Sequence, residues 1–393
     1  MSKTMAFTQQ SFSFYSTPNV LFGSGAASDF SSFTKGGLGE RIVLVTDTVV
    51  HGLGLCDRVL KALSDAGAAV VVFDAVESDP KVATVAAASL LAIQHRATGV
   101  VGIGGGSSLD VAKVVALLAG SGESLDSAWG VNNAKGPRLP LALLPTTAGT
   151  GSEATPIAIL TLPDGEKRAI SSPLNLPDWT ILDPNLTLGL PPAVTAMTGM
   201  DAMVHAIEAY SSLNANNNPL SRLLAQQAMA LLAKNIGLAT HQGHNAEARG
   251  AMLLGSFLAG QAFANSPVAA VHALAYPIGG GFGVPHGLST ALMLPHVLRF
   301  NTASAGPLYA ELASFSFPEL ASVAAPARPG AFVERLMRLS TELGLKRRLR
   351  DVGIAESDLP QMARDAMKQT RLLVNNPRVV SEADALAMYT AAW

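Results

Sequence analysis

An aspartate and a histidine lie four residues apart in the apolar segment T-G-M-D-A-M-V-H-A-I-E-A-Y, residues 198–210. On a helix, this spacing places Asp201 and His205 on one face, where a carboxylate and an imidazole can share a cation. The pair alone is equally consistent with an acid near a helix start and a hydrogen-bonded core histidine. His272 and His286 follow, the latter in the loop-like G-G-G-F-G-V-P-H-G. Three imidazoles and one carboxylate without a thiolate suit zinc or ferrous iron.

A glycine-rich turn is the second segment whose residue types suggest ligand binding. The sequence G-G-G-S-S-L-D-V-A-K, residues 104–113, follows a predicted strand and opens a predicted helix, which Ser107 or Ser108 could cap. Backbone N–H groups at such a turn can approach a phosphate closely, and the helix dipole favours its negative charge. We interpret it as a pyrophosphate site, with a tight turn made only for packing as the alternative.

Two further features could complete a dinucleotide site. Asp47 ends the strand predicted over residues 40–47, where its carboxylate could hold ribose hydroxyls. In the usual Rossmann fingerprint that acid follows the glycines by about 20 residues, whereas here it precedes them. The loop P-T-T-A-G-T-G-S-E, residues 145–153, carries several hydroxyls and could wrap the other half of the cofactor.

Alternating strand and helix patterns surround these segments. Strands are predicted over residues 19–22, 40–47, 68–76, 97–103, 139–147 and 180–183, and helices over residues 55–66, 81–95 and from the glycine turn to residue 118. Residues 155–162 and 167–171 are predicted to form a hairpin around P-D-G-E. This alternation indicates βαβ units and a parallel sheet.

The pattern changes near residue 190. Strand signals end there, and segments rich in alanine, leucine and methionine at helical spacing fill the remainder. The sequence therefore predicts an α/β N-terminal dinucleotide-binding domain over residues 1–190 and an all-α C-terminal domain over residues 191–393.

Composition narrows the class of protein. Apolar residues make up 49% of the 393 residues and charged residues 14%, which favours a homodimer or larger homo-oligomer. A net charge of −2 without a basic block argues against nucleic-acid binding. Residues 1–12 lack the layout of an export signal, prolines interrupt the uncharged run over residues 265–285, and the single cysteine, Cys56, fits a reducing compartment. We expect a cytoplasmic protein without a membrane span.

Five motifs in a fixed order carry a resemblance to a known family. They are the two loops described above, G-M-D-A-M-V-H-A-I-E-A-Y, H-A-L-A-Y-P-I-G-G-G-F-G-V-P-H-G and the C-terminal N-N-P-R. With them the chain resembles the iron-containing (group III) alcohol dehydrogenases over essentially its whole length. The resemblance implies the dehydroquinate synthase-like fold, with the active site in the cleft between an α/β and a helical domain. It also implies reversible hydride transfer between NAD and a small alcohol or aldehyde.

The resemblance also implies roles for individual residues. A catalytic metal, most simply Fe2+ with Zn2+ as the alternative, would be bound by Asp201, His205, His272 and His286. The cofactor would be bound by Asp47, Gly104, Gly105, Gly106, Ser107, Asp110, Thr146, Thr147, Thr150, Ser152 and Lys167. An acid at position 47 predicts NAD in preference to NADP, because it repels the 2′-phosphate. Arg168 follows Lys167 directly, so the register of that lysine is open.

One position departs from the family pattern. Many members carry a second histidine four residues after the third ligand, whereas this chain has Tyr276 there. A phenol can donate and accept hydrogen bonds. Tyr276 could therefore replace that histidine in a proton relay or substrate contact, or it could only fill space.

Two related activities compete with the alcohol dehydrogenase interpretation. A lyase similar to dehydroquinate synthase would use NAD only transiently, but the sequence lacks a strongly basic pocket for a phosphorylated substrate near the metal-ligand candidates. A metal-independent reductase of the maleylacetate type is similar in fold, but the intact Asp201 argues against it. We expect the metal-dependent alcohol dehydrogenase.

Overall fold

Runs of valine, leucine and isoleucine form the strands of two sheets in the first half of the chain. The computed structural model describes residues 11–393, so the first ten residues, on which the expectation of no export signal largely rests, lie outside the description. The strands are β1 (Asn19–Phe22), β2 (Arg41–Val45), β3 (Ala69–Phe73), β4 (Gly99–Gly104), β5 (Gly130–Val131), β6 (Leu141–Pro145), β7 (Ile157–Thr161), β8 (Lys167–Ser171) and β9 (Trp179–Leu182).

Helices first alternate with these strands and then follow one another. Within the described residues they are α1 (Phe30–Thr34), α2 (Thr48–Gly52), α3 (Asp57–Asp65), α4 (Val82–Gln94), α5 (Gly106–Ser121), α6 (Leu125–Ala128), α7 (Pro192–Ser211), α8 (Pro219–His241), α9 (Ala246–Asn265), α10 (Ala270–Phe282), α11 (His286–Ser316), α12 (Arg328–Glu342), α13 (Leu359–Met367), α14 (Thr370–Leu373) and α15 (Glu382–Ala392).

Six strands form a parallel sheet in the order β1-β9-β6-β4-β2-β3. Because side chains alternate along a strand, the sheet serves two apolar cores. Val43, Val100 and Leu143 belong to the core shared with α4 and α5, whereas Leu44 and Val101 belong to the core shared with α1 and α3. The central strands β4 and β6 are buried along their whole length. The predicted α/β class is confirmed.

A smaller, three-stranded sheet lies in the order β5-β8-β7. β7 and β8 are antiparallel, with Ile159 opposite Ala169, which confirms the predicted hairpin. β5 was not predicted, because two residues carry no periodicity and its pairing of Gly130 with Ile170 is made only in the folded chain.

The second half of the chain packs as helices around α7. This helix contacts α8, α9 and α11, and its buried residues, including Met200, Val204 and Ile207, lie on several sides of it. A helix surrounded in this way is apolar all round rather than amphipathic. The predicted all-helical second half is confirmed.

The two halves meet at the loop that follows β6. A Cβ atom on Gly151 would lie 2.6 Å from Cα of Gly260, and one on Gly149 would lie 2.6 Å from Cβ of Thr198. Only residues without a side chain permit such an approach. The loop therefore lies directly against α9 and α7. The chain passes into α7 after β9, and the domain boundary near residue 190 stays a prediction.

The uncharged run over residues 265–285 forms part of the helical half. Pro277 lies inside α10, and Pro285 directly precedes α11. Across residues 11–393, the helices are all too short or too polar to span a bilayer.

Candidate metal and cofactor site

Helix α7 presents three polar side chains on one face. Asp201, His205 and Glu208 follow each other at intervals of four and three residues, so they lie one above another on successive turns. All three are buried in an otherwise apolar helix. Burying polar groups in such surroundings is costly unless they are paired or bind a ligand.

Helices α10 and α11 supply two more imidazoles. His272 lies in the first turn of α10, and His286 is the first residue of α11. The prediction that His286 lies in a loop is therefore wrong. The glycines before it continue α10 to Phe282, and Pro285 is tolerated just before a helix, where an N–H has no intrahelical partner.

The side chains of Asp201, His272 and His286 converge, and with His205, whose ring lies against that of His272, we call them the ligand cluster. The Oδ1 atom of Asp201 lies 3.9 Å from Nε2 of His272 and 3.7 Å from Nε2 of His286. One ligand atom from each of these three residues lies within 4.8 Å of the others. The His205 ring stacks on that of His272, with centroids 4.8 Å apart.

Hydrogen bonds orient the members of the ligand cluster. Nδ1 of His205 is 3.2 Å from the carbonyl oxygen of Gly149, and the Thr290 hydroxyl donates to Oδ1 of Asp201 at 3.0 Å. Nε2 of His272 is buried and has no hydrogen-bond partner within residues 11–393. A buried, unpaired nitrogen beside a carboxylate oxygen is what a missing cation would explain. The residues therefore fit a divalent metal.

The electrostatics of Asp201, His205 and His286 agree with this donor set. At His272, burial lowers the pKa, but the hydrogen bond and charge of Glu208 outweigh burial and hold the pKa above its ordinary value. Burial lowers the pKa of His205 to about 3, so its imidazole is neutral and can coordinate. Burial also lowers the pKa of His286. Burial alone would raise the pKa of Asp201, but the neighbouring imidazoles and the Thr290 hydroxyl hold it below the ordinary value. The carboxylate is thus ionised and available to a cation.

The glycine turn lies at the carboxyl end of β4. Gly104 has φ +152°, and a Cβ there would lie 2.6 Å from Oγ of Ser108. A Cβ on Gly106 would lie 2.8 Å from Cγ2 of Thr150. Side chains at these two positions would clash with Ser108 and Thr150, so the close packing of this turn requires glycines, and its role as a phosphate site stays a prediction.

The serines of this turn do not cap α5. Gly105, in an extended conformation, is the N-cap and provides no side chain, and α5 starts at Gly106. Ser107 and Ser108 consequently fall in the first turn, and the capping prediction is wrong. The Ser108 hydroxyl lies instead 3.5 Å from Oδ2 of Asp47.

Asp47 follows β2, the strand beside β4 in the parallel sheet. Its Oδ1 atom caps α2 by accepting hydrogen bonds from the N–H groups of Val49 and Val50, at 3.0 and 2.9 Å. Its Oδ2 atom faces the glycine turn through Ser108. The acid that precedes the glycines in sequence is thus their neighbour in space, because parallel strands align their carboxyl ends.

The loop over residues 145–153, which we call the hydroxyl loop, follows β6, the strand on the other side of β4 from β2. The buried Thr146 donates its N–H to the carbonyl oxygen of Gly104 at 2.9 Å, and Thr147 lies against Gly105. Thr150 lies against Gly106. Together with Asp47, these residues lie at the carboxyl ends of β2, β4 and β6, the edge at which open parallel sheets bind ligands, and we call this edge the crevice.

Ser152 and Asp110 lie in a buried polar network next to this crevice. The Ser152 hydroxyl donates to Asp110 at 2.6 Å and accepts from the Lys113 ammonium at 2.7 Å. The second oxygen of Asp110 accepts from the N–H of Ile159 at 2.9 Å. Their contacts tie the hydroxyl loop to α5 and to β7.

Lys167 extends from β8 toward the ligand cluster. It forms an ion pair with Asp79, and its charge contributes to lowering the pKa of His286 after burial and the His272 ring. Arg168 lies over the ring of Trp129, 5.8 Å from its centroid. Lys167 therefore interacts electrostatically with the cluster, and its assignment to the cofactor site in preference to Arg168 stays a prediction.

Tyr276 lies one helical turn after His272 on α10. Its ring centroid is 6.1 Å from that of His286, and burial raises its pKa, which keeps the phenol protonated. The side chain thus borders the open side of the ligand cluster, where 40% of the His286 side chain is exposed.

Comparison with protein families identifies the family in which this arrangement belongs. A profile described as iron-containing alcohol dehydrogenase matches residues 17–184, and the C-terminal profile of the same family matches residues 195–393. This chain belongs to the iron-containing alcohol dehydrogenase family. Membership makes the protein an NAD-dependent alcohol oxidoreductase and implies both NAD and a metal.

Individual relatives agree with this assignment. Long-chain-alcohol dehydrogenase 1 of Geobacillus thermodenitrificans (strain NG80-2) is 40% identical over 362 residues, covering 90% of each chain. The 1,3-propanediol dehydrogenase of Klebsiella pneumoniae is 36% identical over 383 residues, covering 96% of this chain and 98% of that protein. A crystal structure of 1,3-propanediol oxidoreductase superposes with a TM-score of 0.93 at 34% identity, covering 98% of this chain and 100% of that one.

In this alcohol dehydrogenase, three side chains around the ligand cluster were not predicted from the sequence. Thr290 contacts Asp201, the Phe263 ring stacks on His205 with centroids 4.4 Å apart, and Glu208 contacts His272. Only Glu208 had a sequence signal, because it lies seven residues after Asp201 and therefore on the same face of α7.

Proposed function

We propose that the ligand cluster holds the catalytic metal of this alcohol dehydrogenase and that the enzyme transfers hydride reversibly between NAD and a small alcohol or aldehyde. The observation that carries the proposal is the buried, unpaired Nε2 of His272, 3.9 Å from Asp201. The nitrogen and oxygen donors suit iron or zinc, and we propose Fe2+ in accordance with the family. When bound, the metal would supply a Lewis acid to the substrate oxygen.

The residues around the cluster determine how the substrate is received. Phe263 covers one side of His205 with an apolar ring and keeps water from it. We propose that the substrate binds at the other end of the ligand cluster, beside the exposed part of His286. We propose that the Tyr276 hydroxyl borders the substrate there, accepts the proton of the substrate's hydroxyl group and gives up its own proton to the solvent on the exposed side of His286.

We propose that NAD lies along the crevice at the carboxyl ends of β2, β4 and β6. The backbone of the glycine turn would receive the pyrophosphate, and Asp47 the adenosine ribose. Lys167 would lie beside the nicotinamide ribose, in agreement with the action of its charge on His286 of the cluster. The rest of the cofactor set is Gly104, Gly105, Gly106, Ser107, Asp110, Thr146, Thr147, Thr150 and Ser152. When bound, NAD would supply the hydride acceptor.

The substrate class and the assembly complete the proposal. The relatives named above are a long-chain-alcohol dehydrogenase and a 1,3-propanediol dehydrogenase, which supports an alcohol as the substrate. We propose a small alcohol or aldehyde. We also propose a cytoplasmic homodimer or larger homo-oligomer. Strand β1 is an edge of the main sheet and exposes Val20 and Phe22, which favours a contact with another copy.

Metal analysis of anaerobically purified protein, coupled to an alcohol screen followed at the NADH absorbance, tests the proposal. We expect a stoichiometric divalent metal and net NADH formation with simple alcohols. Metal with no net NADH would favour the lyase alternative. Full turnover in a metal-free sample would favour the metal-independent reductase.

A further inference from the structure

Glu208 is a buried carboxylate with two short hydrogen bonds. Its Oε2 atom lies 2.6 Å from Nδ1 of His272, and its Oε1 atom accepts the N–H of Val271 at 2.6 Å. The side chain is only 4% exposed. It extends from α7, the helix that carries Asp201 and His205, to the first turn of α10.

The chemistry of these contacts determines the protonation of the His272 ring. An ionised carboxylate only accepts hydrogen bonds, and the Val271 N–H is a donor that cannot change. Glu208 therefore receives a proton-bearing Nδ1 from His272. In the neutral imidazole, the lone pair then lies on Nε2, the atom that is directed into the ligand cluster without a partner.

We propose that Glu208 is a positioning residue for metal binding. It selects the Nδ1-protonated tautomer of His272 and holds the ring so that Nε2 can coordinate beside Asp201. This inference rests on the metal site proposed above. It assigns a role to a residue that has no direct access to the metal, because its two oxygens are occupied by His272 and Val271.

The same contacts also admit a simpler role. Val271 lies in the first turn of α10, whose N-cap residue, Ala269, makes no side-chain cap hydrogen bond. Glu208 satisfies one of the N–H groups that this helix start leaves free, and that bond stabilises α10 whether or not a metal binds. An experiment must separate tautomer control from this capping role.

The variant Glu208→Gln separates control of the His272 tautomer from capping of α10. A glutamine has one acceptor oxygen and one donor NH2 group in place of two oxygens. Because the Val271 N–H can only donate, the oxygen must face it and the cap is kept. The NH2 group then faces Nδ1 of His272 and favours the tautomer that is protonated on Nε2, which cannot coordinate.

The matched control is Glu311→Gln. Glu311 accepts a hydrogen bond from the Tyr210 hydroxyl of α7 at 2.9 Å, and within residues 11–393 it forms no hydrogen bond or ion pair with the ligand cluster. The variant therefore removes one negative charge beside α7 while leaving the proposed ligands and their partners in place.

The measurement is cobalt(II) affinity of each apoprotein, by absorbance titration against a competing chelator. We expect Glu208→Gln to bind cobalt about 10- to 100-fold more weakly than the parent. Apoprotein melting temperature and NADH affinity should match those of Glu311→Gln. Cobalt affinity equal to the parent's in a folded Glu208→Gln protein would overturn the inference. A parent that binds no cobalt would overturn the proposed metal site itself, and the inference with it.

Nitrogen-15 NMR of histidine-labelled apoprotein tests the inference without depending on how the variant folds. The His272 signals are assigned by comparison with His272→Gln, at a pH where the ring is neutral. We expect the proton on Nδ1 and the lone pair on Nε2. A proton on Nε2 in the parent would overturn the inference, whatever the behaviour of Glu208→Gln.

Discussion

The ligand cluster is formed by side-chain atoms, whereas the cofactor crevice also depends on the backbone of the glycine turn. The cluster consists of side-chain atoms from α7, α10 and α11, and its members are oriented by partners such as Gly149 and Thr290. The crevice combines the backbone of the glycine turn with side chains such as Asp47 and Thr150, at the ends of β2, β4 and β6.

This difference determines which substitutions each region tolerates. A side-chain ligand cannot be replaced by a neighbour, so removing one should abolish the function of the cluster. A backbone surface loses little when a side chain changes, but it closes when a Cβ is added to a glycine with no free space. A substitution in one region should therefore leave the function of the other region intact.

The largest effect is expected for His286→Ala. The variant removes one donor from the cluster, so the metal should be lost. Because a metal stabilises the charge of the transition state by several kcal/mol, kcat should fall by about 1000-fold or more. Metal content should fall while NADH affinity stays near that of the parent. His244→Ala, at an exposed position, is the control for removing an imidazole. Parent-level turnover by metal-free His286→Ala would contradict the proposed catalytic metal.

Tyr276→Phe tests whether the cluster region also needs a hydroxyl. If the phenol relays a proton, kcat should fall roughly 10- to 1000-fold, on the order of one general acid–base group, with metal content unchanged. Tyr389→Phe is the matched control, because that hydroxyl donates to the carbonyl of Leu274 on the same α10 helix. Near-parent kcat in Tyr276→Phe would leave the ring as packing only.

Gly104→Ala tests the crevice. The residue has φ +152°, and a Cβ would lie 2.6 Å from the Ser108 hydroxyl, so the turn must shift in the variant. Restoring its binding conformation against backbone strain of about 1–3 kcal/mol should weaken NADH binding roughly 5- to 150-fold. Metal content should not change. Gly237→Ala, where nothing lies within 4 Å of the added Cβ, is the control. Loss of metal together with NADH affinity would show that the two regions are not separable.

The smallest effect is expected for Asp47→Asn. Asparagine keeps the N-cap of α2 but removes the charge, so the preference for NAD over NADP should narrow by roughly fivefold or more, from a like-charge repulsion of about 1 kcal/mol. The measurement is the ratio of kcat/KM for the two cofactors. Asp47→Ala, which also loses the cap, should in addition lower the melting temperature. A parent that prefers NADP would contradict the role of Asp47.

Local features of both regions could be predicted from the sequence. The spacing of Asp201 and His205 places them on one helical face wherever the helix packs, and glycines between a strand and a helix make an open turn in any parallel sheet. Periodicity likewise predicted most strands and the helical second half, because burial patterns repeat within each element.

The positions of the other members depended on packing between distant segments. Nothing near His286 in sequence indicates that it starts a helix whose first side chain reaches Asp201, and nothing near Glu208 indicates that it reaches His272 on another helix. Asp47 meets Ser108 only because β2 and β4 are neighbours in the sheet. The sequence by itself determined the donor types and the local elements. The tertiary structure decided which donors meet, because such contacts arise from the packing of whole elements and leave no local periodicity.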